Sequence, residues 1–132
     1  MVRRTLGRAA RFETITGMKL YQWNSIGLEQ LNPLFARKVV HGANLTIARV
    51  ELKKDCAVPE HSHINEQITI IESGALKFSI GGGEQILRAG DVMVIPPHLP
   101  HGVVALEDTV AMDVFAPARE DWQRGDDAYL RR

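Results

Sequence analysis

The sequence has few of the features expected of a protein that works in an oxidising compartment, spans a membrane or binds nucleic acid. It contains one cysteine, Cys56, which cannot form a disulfide within the chain and favours a reducing compartment. Sixteen basic residues balance sixteen acidic ones, so composition does not favour nucleic acid or an anionic membrane as partner. No apolar run approaches the roughly 18 residues that a membrane span needs. We therefore expect a cytoplasmic protein whose Cys56 is a buried or inert thiol.

The length of 132 residues suits a single domain, which can bury a core without disulfides or a structural metal. The first residues differ in composition, because four arginines fall within the first eleven positions and the first acidic residue is Glu13. They lack the apolar centre of a secretory signal. We predict a basic, loosely ordered arm over residues 1–17, with Met18 as an alternative start, and one domain over residues 18–132.

Short runs of strand-forming residues alternate with turn signals between residues 43 and 116, which predicts an all-β sandwich or barrel. The predicted strands cover residues 43–52, 67–73, 76–80, 84–87, 92–95, 102–106 and 109–116. Little helix is expected. One helical turn is predicted within "GLEQLNP" (27–33), and another opens the charged end "REDWQRGDDAYLRR" (119–132), which continues as a tail.

The stretch "HSHINEQ" (61–67) places two histidines one residue apart in a chain that has only five. Side chains two apart on a strand share a face, so His61, His63 and Gln67 point to one side and Glu66 to the other. Imidazole and amide oxygen can together bind Zn, Ni, Fe, Mn or Co. The alternatives are a surface strand with solvated histidines, or a bulged strand in which Glu66 replaces Gln67 as the ligand.

A second stretch, "GDVMVIPPHLPHG" (90–102), makes the pattern specific, because the two stretches together resemble the paired motifs of the cupin superfamily. The matching positions are His61, His63, Gln67 and Gly74 in the first motif, and Gly90, Pro96 and His101 in the second. The departures are Asp55 for Gly, Gln67 for Glu, His98 for Gly and Ala105 for Asn. The resemblance covers roughly residues 38–116.

The cupin resemblance implies a single-domain double-stranded β-helix, or jelly-roll barrel. It also implies one divalent transition metal ion per subunit, and a homodimer. The implied metal ligands are His61, His63, Gln67 and His101. Neutral imidazoles and an amide leave the metal its full positive charge, where a glutamate would cancel part of it. We therefore expect weaker metal binding, stronger polarisation of a bound oxygen and attraction of an anionic chelator.

A third stretch, "DVFAPARED" (113–121), ends the last predicted strand, where Asp113 and Phe115 share a face. An aspartate among apolar strand residues is costly unless it is paired or functional. From spacing alone, a structural ion pair between Asp113 and Arg119, with Phe115 in the core, is one interpretation. A functional site is the other.

The three stretches together resemble the KdgF family of pectin-degradation proteins, which open unsaturated uronate sugars released by pectate and alginate lyases. In that family a glutamine is a metal ligand, and an Asp, a Phe and an Arg with this spacing lie in the active site. The resemblance implies that Asp113 transfers protons, that Arg119 pairs with the substrate carboxylate and that Phe115 packs on the sugar. His98 is expected to be a rim histidine that contacts substrate or moves a proton, or that has no role.

The implied reaction converts a 4,5-unsaturated uronate monosaccharide into linear 5-keto-4-deoxyuronate. The ring oxygen becomes an enolate beside the carboxylate, and this pair of oxygens suits a bidentate metal chelate. Two rival functions remain at this stage. One is another metal-dependent cupin enzyme, such as a dioxygenase or a lyase acting on a small organic acid. The other is a non-catalytic cupin that binds a sugar acid.

Overall fold

The structure, a computed structural model, describes residues 12–13 and 17–132. The predicted basic arm of residues 1–17 lies outside these residues except for Phe12, Glu13 and Gly17, so its predicted disorder stays a prediction. In the described part of the chain, strands form two larger antiparallel sheets and one short hairpin, with very little helix. This architecture confirms the predicted all-β class.

The larger sheet has six strands, which are joined in the order β10-β7-β12-β5-β4-β3. Its strands are β3 (Glu29–Asn32), β4 (Phe35–His41), β5 (Thr46–Leu52), β7 (Glu66–Ser73), β10 (Val92–Ile95) and β12 (Thr109–Ala116). Side chains along β5 alternate strictly between buried and half-buried, because one face of this strand covers the core. Strand β12 lies at the centre, between β7 and β5, and carries Asp113 into the middle of the sheet.

The smaller sheet has four strands in the order β6-β11-β8-β9. Its strands are β6 (Ala57–His61), β8 (Ala75–Ile80), β9 (Gly83–Arg88) and β11 (His101–Ala105). The hydrophobic core lies between the two sheets. Buried residues from both sides meet there, among them Val50 and Ile71 from the larger sheet and Leu76 and Phe78 from the smaller one.

The remaining elements are short. Strands β1 (Phe12–Glu13) and β2 (Lys19–Leu20) pair with each other, and a 3₁₀ helix covers Trp23–Ser25. After β12, the C-terminal segment (residues 117–132) contains helix α1 (Glu120–Gln123) and a second 3₁₀ helix (Ala128–Arg131). No helix in the described ranges is long and apolar enough to cross a membrane.

The helical turn predicted within residues 27–33 was wrong, because Glu29–Asn32 forms strand β3. It pairs with β4, and Leu31 is buried in the core. A four-residue strand shows too few periods for its pattern to be distinguished from a helical turn. The charged C-terminal end, in contrast, does begin with one helical turn as predicted.

Three turn positions explain features of the sequence motifs. Gly74 has a φ of +90°, and a Cβ there would lie 2.4 Å from the carbonyl oxygen of Asp108, so only glycine fits. Asp55 and His98 stand where cupin motifs usually have glycine, and both have left-handed backbone, with φ of 74° and 67°. Aspartate and histidine tolerate this region better than most residues, which accounts for both departures.

Candidate metal centre

Three histidines converge at one end of the space between the sheets. His61 ends β6 and is directly paired with His101, which begins β11, while His63 lies in the loop before β7. One potential ligand atom from each ring lies within 4.8 Å of the others. This geometry could hold a metal ion, since a tetrahedral or octahedral ion needs its ligand atoms only a few ångströms apart.

Each of these histidines is oriented by a backbone carbonyl. The Nδ1 atoms of His61, His63 and His101 lie 2.8, 2.9 and 2.8 Å from the carbonyl oxygens of residues 59, 65 and 99. Because a carbonyl only accepts, Nδ1 carries the proton and donates it, and Nε2 keeps its lone pair. Such an outer hydrogen bond is a usual feature of metal-binding histidines.

The electrostatics of the three rings favour their neutral, metal-binding form. Burial lowers the pKa of His61 and of His63 to about 4, and it also lowers the pKa of His101. The Nε2 atom of His101 is buried and has no hydrogen-bond partner among residues 12–13 and 17–132. A buried acceptor without a partner is unfavourable, so this lone pair fits a bound cation.

Gln67 supplies a fourth potential ligand atom, its amide oxygen. Its amide nitrogen donates to the Thr69 hydroxyl at 2.9 Å, which turns Oε1 toward His63, where it lies 3.1 Å from Nε2. With the His63 proton on Nδ1, both of these facing atoms are acceptors and repel each other. A cation between or beside them removes that repulsion. The donor set of three imidazoles and one amide oxygen therefore fits a transition metal.

The alternative ligand Glu66 is exposed, whereas Gln67 is buried. Strand β7 keeps regular pairing with β10 and β12 around these residues, so no bulge turns Glu66 inward. The other two histidines lie away from the centre. His98 is exposed, and only its backbone N–H contacts the centre, by donating to the carbonyl of His63. His41 is exposed and bonds the Thr46 hydroxyl.

Asp113 lies beside the glutamine. Its Oδ1 accepts a hydrogen bond from Thr69 at 2.7 Å and lies 3.5 Å from the Gln67 amide nitrogen. Burial raises the pKa of Asp113 to about 6, even though the Thr69 hydrogen bond and the nearby Arg119 charge lower it. The ion pair that spacing suggested between Asp113 and Arg119 does not form, because Arg119 pairs elsewhere.

Arg119 is almost completely buried and is held on several sides. Its Nε and Nη2 atoms donate to both oxygens of Asp121, at 3.0 and 2.8 Å, and Nη2 also donates to the Tyr129 hydroxyl. The guanidinium lies 4.6 Å from the ring of Phe115 and 4.3 Å from that of Trp122. Asp121 therefore occupies the Nε–Nη2 edge of the guanidinium, and the pairing of Arg119 with a substrate carboxylate stays a prediction.

These side chains border a cavity of about 50 Å³ between the sheets. The polar part of its wall is formed by His61, Gln67, His101, Asp113 and Arg119. Phe115 lines the same cavity and also belongs to the hydrophobic core, as the structural interpretation of this stretch expected. A second cavity, of about 290 Å³, lies against His63 and Asp121. His98 borders neither cavity.

Sequence reasoning missed four residues of this site, which are Thr69, Asp121, Trp122 and Tyr129. The strand period could have found Thr69, because it lies two residues after Gln67 and so shares its face. Asp121 stood within a stretch that was already singled out. Nothing in the local sequence marked Tyr129, whose ring lies 4.8 Å from that of His61 only because the C-terminal segment folds back.

The comparison with protein families agrees with this geometry. Residues 48–116 match the family described as the Cupin domain. The chain belongs to the cupin superfamily, as the paired motifs predicted. No curated protein matches it significantly.

Solved structures narrow the resemblance. The structure of KdgF from Halomonas sp. is 31% identical, with a TM-score of 0.69 over 73% of this chain and 90% of that one. An RmlC-like cupin from Shewanella frigidimarina is 25% identical, with a TM-score of 0.73 over 78% and 94% of the two chains. A predicted oxalate decarboxylase from Thermotoga maritima, 18% identical with a TM-score of 0.67 over 74% and 98%, shares the fold. The predicted resemblance to KdgF is confirmed.

Proposed function

We propose that this protein converts 4,5-unsaturated uronate monosaccharides, the products of pectin or alginate breakdown, into linear 5-keto-4-deoxyuronate. The observation that carries the proposal is the shared wall of one cavity, where neutral metal-binding side chains meet a carboxylate and a guanidinium. The resemblance to KdgF supports it. The substrate class is a small sugar acid.

The metal in this proposal is a single divalent ion of Zn, Ni, Fe, Mn or Co. His61, His63, Gln67 and His101 would hold it. When bound, such an ion acts as a Lewis acid that stabilises negative charge on a neighbouring oxygen. Because all four ligands are neutral, they leave the local field positive, which favours an anionic substrate.

Asp113 performs the proton transfers. Among the described residues, its hydrogen bonds involve Oδ1, so Oδ2 remains for substrate. Asp113 removes the proton of the anomeric hydroxyl, the C1 carbonyl forms and the bond between C1 and the ring oxygen breaks. The electrons of that bond leave an enolate on the former ring oxygen, and Asp113 then returns the proton to C4, which completes the ketone. Atoms balance without any oxidant or other co-reactant.

Arg119 and Phe115 bind and orient the substrate. The Arg119 guanidinium attracts the substrate carboxylate from within a partly apolar cavity, where a charge-assisted hydrogen bond is strong. Phe115 offers its ring to the sugar. His98, exposed and outside the cavity, has no part in this mechanism.

The experiment follows the absorbance of the conjugated double bond of an unsaturated uronate as the protein consumes it. The variant Asp113→Asn should keep its fold and its metal while kcat falls by about 10² to 10⁴. Asp126→Asn is the matched control, since Asp126 is exposed and far along the C-terminal segment. Turnover should not depend on oxygen, which separates this activity from that of a dioxygenase.

Two results would refute the proposal. One is normal turnover by a folded Asp113→Asn protein, which would remove Asp113 from the chemistry. The other is binding of the sugar acid by the metal-loaded wild type without any loss of absorbance, which would indicate a non-catalytic binding protein.

We also propose that the protein forms a homodimer. Strand β10 is an edge of the six-stranded sheet, and its Val92 and Val94 side chains are 61% and 56% exposed. An edge strand with exposed apolar side chains is prone to pair with another chain, which supports this proposal. Light scattering should give the mass of two chains, and a monomer mass at working concentration would contradict it.

A further inference from the structure

Tyr129 contacts both halves of the proposed active site. It lies in the C-terminal 3₁₀ helix, and its ring is 4.8 Å from the ring of His61. Its hydroxyl oxygen accepts a hydrogen bond of 2.9 Å from Nη2 of Arg119. The tyrosine therefore lies between a candidate metal ligand and the candidate carboxylate-binding residue.

The hydrogen bonds of Arg119 leave a single nitrogen for a ligand. Nε and one Nη2 hydrogen go to Asp121, and the other Nη2 hydrogen goes to Tyr129. Among residues 12–13 and 17–132, no partner is bonded to Nη1. A carboxylate that reaches Nη1 would thus find one donor on the arginine, whereas two parallel donors are the favoured arrangement.

The Tyr129 hydroxyl can provide the second donor. A phenolic oxygen accepts hydrogen bonds while its own proton donates another. Its oxygen is turned toward Arg119, and in the described part of the chain that arginine is its hydrogen-bond partner. Tyr129 occupies the position beside Nη2 where a second carboxylate oxygen would otherwise bind. The second oxygen of a carboxylate bound at Nη1 would therefore meet the hydroxyl proton of Tyr129 instead of Nη2.

We infer that the Tyr129 hydroxyl and Nη1 of Arg119 together form a two-donor site for the carboxylate of the substrate. The inference rests on the proposed function for the identity of that carboxylate as a uronate. The Tyr129 hydroxyl adds a second hydrogen bond to the carboxylate without adding charge to the site. The ring contact with His61 places Tyr129 beside a candidate metal ligand.

The test compares Tyr129→Phe, which keeps the ring and removes the donor, with Tyr21→Phe. Tyr21 is exposed in a groove beside Trp23, apart from the site, so it serves as the matched control. Binding of galacturonate, a saturated uronate without the reactive double bond, is measured by calorimetry on metal-loaded protein. Loss of one hydrogen bond to a charged group should raise its Kd about tenfold in Tyr129→Phe. The Tyr21→Phe protein should bind like wild type.

Two further readouts separate binding from structure. Metal content should be unchanged in Tyr129→Phe, and with unsaturated uronate KM should rise by the same factor as Kd while kcat stays constant. An unchanged Kd, or no galacturonate binding by wild type, would overturn the inference. Metal loss in Tyr129→Phe but not in Tyr21→Phe would overturn it too, because the ring would then act through His61. A tenfold weaker Kd without any wild-type turnover supports the two-donor site and refutes only the proposed reaction.

Discussion

The five histidines fall into two groups that their surroundings distinguish. In His61, His63 and His101, Nδ1 bonds a backbone carbonyl, and one potential ligand atom of each ring lies within 4.8 Å of the others. His98 and His41 are exposed, and the side chain of neither belongs to this cluster. Burial and orientation, rather than residue type, therefore separate candidate ligands from ordinary surface histidines.

The first prediction uses this distinction. His101→Ala removes the buried Nε2 that has no partner in the described structure, so it should abolish stoichiometric metal binding. His98→Asn is the matched control, because asparagine also tolerates the left-handed backbone of this position, and it should keep wild-type metal content. The measurement is metal per chain after dialysis, by elemental analysis. Equal metal content in the two variants would show that the ion, if one binds, does not use this cluster.

Gln67 carries the second prediction, because its neutral amide stands where cupin motifs usually have a glutamate. Gln67→Glu adds a negative charge beside the three histidines and should tighten metal binding by at least about tenfold, in a competition with a chelator. It should also lower turnover, since it weakens the Lewis acid and repels the anionic substrate. Faster turnover by Gln67→Glu at saturating metal would contradict this electrostatic argument.

At the level of elements, the C-terminal segment is held against the barrel mainly by side chains. Asp127 is buried and pairs with Arg37 of strand β4 and with Arg131. The Asn32 side chain donates to the backbone carbonyls of Leu130 and Arg132. These contacts fix the segment that carries Arg119 and Tyr129, so they determine the shape of the site from outside it.

The third prediction concerns this attachment and its dependence on pH. Burial alone would raise the pKa of Asp127, but hydrogen bonds from Arg131 and Arg37 outweigh it, and the pKa lies below its ordinary value. A lowered folded-state pKa contributes stability that is complete above the unfolded pKa of about 3.9 and is lost as pH falls through the folded value. Asp127→Asn should therefore cost roughly 3 kcal/mol at pH 7, and less as the pH falls below about 4.

Urea unfolding at a series of pH values measures this difference. Asp126→Asn is the control, because its exposed ion pair with Arg124 should contribute less than about 1 kcal/mol. A difference between wild type and Asp127→Asn that stays constant from pH 7 to pH 3 would mean that the carboxylate charge contributes nothing.

The elements of this fold also differ in how well their structure can be predicted from the sequence. Long strands with strict alternation, such as β5, were predictable from the period of a strand. The side chains of His61, His63 and Gln67 do come together, but the prediction that they share the face of one strand was wrong, because His61 ends β6, His63 lies in a loop and Gln67 belongs to β7 of the other sheet. Strand β3 was not predictable, since its four residues take their conformation from pairing with β4. The place of Tyr129 depends on contacts such as that between Asn32 and Leu130, 98 residues apart, which no local pattern encodes.

For the molecule as a whole, the candidate metal centre joins the two sheets. His61 and His101 belong to the four-stranded sheet, and Gln67 belongs to the six-stranded one. An ion held by all of them would tie the two layers together at one end of the core. Metal binding should then stabilise the entire fold, because a ligand that binds only the folded state shifts the unfolding equilibrium.

The last prediction is the size of that effect. At a free metal concentration of about 100 times Kd, binding contributes roughly 2.7 kcal/mol. For a chain of this length that corresponds to a Tm on the order of 10 °C higher than in the metal-free protein. The measurement is thermal unfolding after chelation and after addition of Zn, Ni or Mn to the same sample. His101→Ala is the control and should show no such shift, because a rise that depends on this histidine must come from the site rather than from general ionic effects. An equal rise in wild type and His101→Ala would place the stabilising ion elsewhere on the protein.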